Sequence, residues 1–147
     1  MTPYEIIAII FSSFALVVSI PAMILSIKNL QKMAFTIDFR PDNSDVLIIT
    51  ENKDKYWCDA NLLLINKSDQ HSTINKITVV DGAHEQEIYL SNPHGQAPFR
   101  NTSFEPNSSN AKRFSFKLSS IPDKTLKFKI YTNRKTFTKK IACKLST

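Results

Sequence analysis

Glycine is almost missing from this chain, at 2 residues in 147, and proline stands at only 7. Nothing in that composition suggests low complexity, and 10% aromatic content is enough to build a real core. Cysteine is equally scarce. Cys58 and Cys143 lie far apart in sequence, and one pair is too little for a disulfide scaffold, so both are expected to be ordinary buried thiols. The three histidines, His71, His84 and His94, are not at metal-ligand spacing and have no neighbouring cysteine. A glycine-rich phosphate loop, a nucleophile elbow and a dinucleotide fingerprint are all lacking. No catalytic residue, metal or cofactor is therefore expected, and the chain reads as something other than an enzyme. No helical pattern suited to water and no internal repeat of 20 to 50 residues is visible either.

Acidic side chains are nearly absent from one end. Residues 111–147 hold Asp123 against eleven basic residues, a net of +10, while the rest of the chain carries −4 and the whole +6. Such asymmetry points to an anionic partner for the C-terminal part, either nucleic acid or membrane headgroups. A solvated lysine-rich face that keeps the domain soluble is the alternative.

What the chain does have is one long apolar run. Ile6 to Ile27 contains no Asp, Glu, Lys, Arg or His, and at about 1.5 Å per residue it reaches ~33 Å, enough for a hydrocarbon core of ~30 Å. A single transmembrane helix over about residues 4–27 is expected. The leader Met1-Thr2-Pro3-Tyr4-Glu5 has no basic n-region and the run is too long for a signal peptide, so the segment should be retained. Lys28, Lys32 and Arg40 follow the span, whereas only the α-amino group and Glu5 precede it. The positive-inside rule then puts the C-terminal domain in the cytoplasm, with a cell inner membrane as the location.

After residues 1–33, the span and its juxtamembrane segment, residues 34–147 read as one β-rich domain. Short β-type runs recur at 34–39, 46–50, 56–65, 73–80, 86–90, 113–118, 125–131 and 136–143, the pattern of an all-β sandwich or barrel of about eight strands. Alternation is clearest late. Phe114, Phe116 and Leu118 share one face, with Arg113, Ser115 and Lys117 on the other; Leu126, Phe128 and Ile130 oppose Lys127, Lys129 and Tyr131. Thr132-Asn133-Arg134-Lys135 is a hairpin turn that would make the basic residues of the last two strands neighbours. The candidate anion-binding residues are Arg100, Lys112, Arg113, Lys117, Lys127, Lys129, Arg134, Lys135 and Lys140. Asp81-Gly82 and His94-Gly95 read as turns.

Residues 91–110 show no β pattern, and a connection of about twenty residues is longer than most structureless loops. Phe99 and Phe104, with Tyr131 from the basic strands, are candidates for base stacking beside Arg100. The competing expectation is a loop whose Phe residues tuck into the core.

Inside the span, Ala8, Ser12, Ala15, Ser19, Ala22 and Ser26 recur at intervals of 4, 3, 4, 3 and 4, heptad spacing over about 27 Å of rise. Small residues let membrane helices approach closely, and serine hydroxyls can bond across the interface. The stripe therefore predicts a homo-oligomer with left-handed crossing. A dimer would pack it shut; several helices around an axis would turn the serines toward a water-filled path. Serines bonded back to their own helix are the plainer alternative. Pro21 cannot donate to the carbonyl of Val17, so a bend near the cytoplasmic end is expected.

Two functions fit these features. One is an oligomeric membrane effector, able to form a channel, whose basic cytoplasmic domain senses a nucleotide or oligonucleotide. The other is a membrane-anchored β-sandwich binding or scaffold module without pore activity. In plan, one N-terminal span, a basic β domain and an oligomerising helix, the chain resembles the bacterial membrane effectors of anti-phage defence and is similar to those of the Hailong system. That resemblance covers the whole chain but rests on architecture and on no motif. It implies a channel held closed by single-stranded DNA oligomers that a partner nucleotidyltransferase makes.

Overall fold

The computed structural model describes residues 1–33 and 36–146, the side chains of 31–33 excepted. The chain falls into two units, Met1–Ala34 and Phe35–Thr147.

The first unit is helix α1 (Pro3–Met33), which starts where its sequence supplies a cap. Thr2 Oγ1 accepts the Glu5 N–H at 3.4 Å, and Glu5 Oε2 accepts the Thr2 N–H at 2.7 Å, the reciprocal pair of a Thr-x-x-Glu capping box. Pro3 sits at the first helical position, where its missing N–H has no helical partner to lose. The helix runs on through Pro21. Its segment Pro3–Leu30 is long and apolar enough to cross a membrane. No side chain of that segment is buried within the chain, as suits a helix whose backbone satisfies itself and whose surface meets lipid.

The second unit is a β domain with eleven strands among the described residues: β1 (Ile37–Pro41), β2 (Val46–Asn52), β3 (Lys55–Asn66), β4 (Ser72–Asp81), β5 (His84–Glu87), β6 (Tyr89–Asn92), β7 (Gly95–Pro98), β8 (Thr102–Phe104), β9 (Ser109–Leu118), β10 (Thr125–Thr132) and β11 (Thr136–Leu145). They form one sheet in the order β5-β4-β10-β11-β2-β3-β9-β6-β7, with β1 added to β3 and β8 to β4. Pairing is antiparallel except between β11 and β2, which run parallel from Ala142 opposite Val46 to Leu145 opposite Ile49. The alternation read from β9 and β10 is realised: Phe114, Phe116, Leu118, Leu126, Phe128 and Ile130 are all buried. Phe128 lies at the centre, its ring 5.2 Å from Phe39 and 5.9 Å from Phe116.

One stretch of chain carries both ends of the sheet. β5 pairs with β4, β6 pairs with β9, and only Ile88 separates β5 from β6. Ile88 is fully buried, and its N–H donates to the Ile77 carbonyl at 3.0 Å. The run 84–92 thus bends from one edge to the other and curls the sheet toward a barrel. Two side chains reinforce the closure. Gln86 Nε2 donates to the Lys117 carbonyl, and the buried Asp81 carboxylate, at the end of β4, accepts from Ser119 N at 2.6 Å, Ser119 Oγ at 2.5 Å and Ser120 Oγ at 2.8 Å.

The all-β domain is as expected, but two boundaries differ. The run 86–90 is not one strand, because Ile88 turns inward between β5 and β6. Residues 91–110 are not an irregular loop: β6 and β7 make a hairpin around Pro93-His94, and β8 pairs with the start of β4. Strands of three or four residues are too short to display alternation, and Pro98 is tolerated because β7 lies at the end of the sheet. Asn101 and Asn107 take left-handed conformations between these pieces, both with φ of 50°, a region Asn enters more readily than most residues. Ala34 and Phe35, placed in the first strand by the sequence pattern, lie outside the described residues.

Candidate functional site

The basic face is set by register. Lys127, Lys129 and Tyr131 point outward from β10, with Lys140, Thr138 and Thr136 opposite them on β11 and Val80, Thr78 and Lys76 on β4. Lys127 and Lys140 are directly opposed, both exposed, and directly opposed side chains start from Cβ atoms about 5 Å apart. Neither has a hydrogen bond or ion pair among the described residues.

Several of the other candidate cations are already engaged. Arg100 holds Glu87 through two bonds of 2.9 and 2.8 Å, and Arg113 holds Asp59 through two of 3.0 and 2.5 Å. Lys129 Nζ donates to Glu85 Oε2 at 2.6 Å, while Glu85 Oε1 accepts the Tyr131 hydroxyl at 2.6 Å and the Thr78 hydroxyl at 2.7 Å. These donors, Lys129 first, hold the Glu85 carboxyl down to about 2, and the same contact pushes Lys129 and Tyr131 upward. Arg134 donates to Gln70 Oε1, and the Lys135 ammonium lies 4.7 Å from the centre of the Phe137 ring. Lys112 is half-buried on β9, in register with the core residue Leu62. The structure therefore separates the nine candidates: Lys127 and Lys140 form an uncompensated pair, Lys117 stands alone on β9, and the rest are neutralised, partnered or partly withdrawn.

The stacking assignment needs correction. Phe99 and Phe104 are 1% and 4% exposed, and Phe99 meets Phe114 edge-on at 5.4 Å, so neither offers a face to a base. Tyr131 carries the Lys76 ammonium 4.8 Å from its ring centre and uses its hydroxyl on Glu85. The aromatic side chains that do stand open on the sheet are Trp57 and Tyr89, at 40% and 37% exposure. Sequence reasoning passed over them, although the inward period of Cys58, Leu62 and Leu64 already assigns Trp57 to the opposite face.

On α1 the stripe residues Ser12 and Ser19 donate to their own helix, to Ala8 O at 2.5 Å and Leu16 O at 3.1 Å. Their hydroxyl protons are used locally, which leaves their oxygens as acceptors and keeps the small steric profile of the stripe.

No protein-family model matches the chain, and no curated protein matches it either. Among solved structures it is similar to the crystal structure of a putative ApaA protein from Bordetella pertussis, at 15% identity over 74% of this chain and 87% of that one, with a TM-score of 0.35.

Cys58 and Cys143 are buried free thiols. Burial, then Asp59 and Cys143, pushes Cys58 up to about 12, and burial followed by Asp123 raises Cys143; thiols so placed are poor nucleophiles. Among the described residues no three His, Cys, Asp or Glu side chains cluster as metal ligands do. The architecture is that of an apolar helix long enough to span a membrane joined to a β module.

Proposed function

We propose that this is a single-pass inner-membrane effector that acts by binding rather than catalysis. Its cytoplasmic β domain takes an anionic ligand, a nucleotide or oligonucleotide, on the outer face of β10 and β11. Its helices assemble through the Ala8, Ser12, Ala15, Ser19, Ala22 and Ser26 stripe, and the ligand acts on that assembly. The observation that carries the reading is the opposed pair Lys127 and Lys140. Like charges directly opposite each other in a sheet are destabilising, and an anion bridging both would relieve the repulsion. Lys129 beside them on β10 and Arg113 farther off on β9 are held by carboxylates, so the pair stands out from the general basicity. The plan shared with Hailong-type effectors makes single-stranded DNA the first ligand to try and a channel the first assembly to look for, with a nucleotidyltransferase as the partner that supplies the ligand.

The test is the salt dependence of binding. Full chain in detergent is titrated with a fluorescent single-stranded oligonucleotide from low to moderate salt. Each phosphate deprived of its lysine should reduce the slope of log affinity against log salt by about 0.7, so Lys127→Glu with Lys140→Glu should flatten it by ~1.4. Arg113→Gln, whose cation is already spent on Asp59, should change it much less. Unaltered binding in the double variant would dismiss the pair.

A further inference from the structure

Trp57 on β3 and Tyr89 on β6 flank the same strand. Trp57 is in register with Lys117 and Tyr89 with Ser115, both on β9 between them. At ~4.8 Å per strand and ~3.4 Å per residue, the two aromatic positions lie about 10 Å apart across the sheet and about 7 Å along it. The small Ser115 leaves the floor between them low. Gln86, Glu87 and Gln96 join Trp57, Tyr89, Ser115 and Lys117 in lining one open cleft, at the seam where the chain passes from β5 to β6.

The polar groups of the cleft are already oriented. Gln86 Nε2 donates to the Lys117 carbonyl and Gln96 Nε2 to the Ser115 carbonyl, the latter at 3.5 Å. Each amide is thereby turned so that its Oε1 accepts no hydrogen bond from the described residues. The Lys117 ammonium has no carboxylate partner. The carboxylates nearby are taken: Glu87, in the cleft lining, by Arg100, and Asp59, in register with Ser115, by Arg113. The cleft thus offers two ring faces, two amide acceptors and one uncompensated cation. A flat unsaturated ring with donor groups on its edge and a phosphate attached satisfies all three, whereas a neutral sugar ring would leave the cation unanswered.

We propose that this cleft is a base-stacking subsite for one nucleotide of a single-stranded nucleic acid. The base lies against Trp57 and Tyr89, its amino or imino edge donates to Gln86 or Gln96, and its phosphate meets Lys117. The subsite rests on the anionic-ligand reading above and adds to it a requirement for bases. The outer face runs on from the cleft toward the lysines, with Thr50 of β2 opposite Trp57 and Ile48 of β2 beside Lys144 of β11.

Trp57 is the single tryptophan, so its emission reports contact directly. The full chain in detergent is titrated with a thymidine oligonucleotide and, separately, with an abasic phosphodiester strand of equal length. The thymidine strand should quench Trp57 and bind about tenfold tighter than the abasic one, since stacking contributes ~1–3 kcal/mol per base. Tyr89→Ala should bring the thymidine strand toward abasic affinity while leaving abasic binding and thermal stability unchanged, and Tyr89→Phe should restore the difference. Lys127→Glu with Lys140→Glu should weaken both strands alike. Equal binding of the two strands without quenching would overturn the subsite and leave the lysine pair standing. Absence of binding by either strand would overturn both.

Discussion

Removing the Asp81 carboxylate tests how the sheet is closed. The side chain is buried and accepts three hydrogen bonds from Ser119 and Ser120, which join the end of β4 to the segment after β9. Bonds to a charged acceptor are worth about 1.5–3 kcal/mol each. Both serines are exposed and would be rehydrated once released, so a lower figure of ~1 kcal/mol per bond applies. Asp81→Ala should therefore cost about 3 kcal/mol, a fall of ~12 °C in Tm for a domain near 100 residues. Asp81→Asn retains the shape and should cost about half as much. Burial by itself would raise the Asp81 pKa, but the Ser119 and Ser120 donors outweigh it and hold the carboxyl below its usual range. A carboxyl with a lowered folded pKa stabilises fully above its unfolded value near 3.9 and ceases to do so as the pH falls through the folded value. The Tm difference between wild type and Asp81→Ala should thus stay constant from about pH 7 to pH 5 and narrow below about pH 4, where the protonated side chain, like Asn, keeps only part of its bonds. The assay is thermal unfolding of the full chain in detergent, followed by Trp57 emission across that range. Equal Tm values at pH 7, or a gap that widens on acidification, would refute the closure argument.

Phe99→Ala should cost about 3–5 kcal/mol, as expected for truncation of a buried aromatic ring, measured by the same unfolding experiment. Loss of ligand binding with unchanged stability would contradict its place beside Phe114. On α1, Ser19→Leu should lower the fraction of cross-linked oligomer in detergent, because a large side chain holds the stripe apart. Ile10→Leu, off the stripe, should leave that fraction as it was; equal tolerance at both positions would remove the stripe from the assembly.

Local pattern made much of this protein legible. The uncharged run from Ile6 to Ile27 needs no partner to be recognised, because length and hydropathy alone decide what can cross a bilayer. In β9 and β10 a period of two over eight or ten residues fixed which side chains face inward, since a pleated strand has only two faces. The short strands β7 and β8 escaped notice because three or four residues carry no period.

Pairing was beyond local pattern. Which strand lies beside β10 depends on contacts between residues far apart in the chain, and only the assembled sheet delivers Glu85 to Lys129 and Tyr131. The run of basic residues from Lys112 to Lys144 is plain in the sequence. The tertiary structure alone decides that Arg113 and Lys129 are neutralised, that Lys127 faces Lys140, and that Trp57 and Tyr89 rather than Phe99 and Phe104 remain open. Composition sets how much charge and aromatic surface a chain possesses; register and burial set which of it can still meet a ligand.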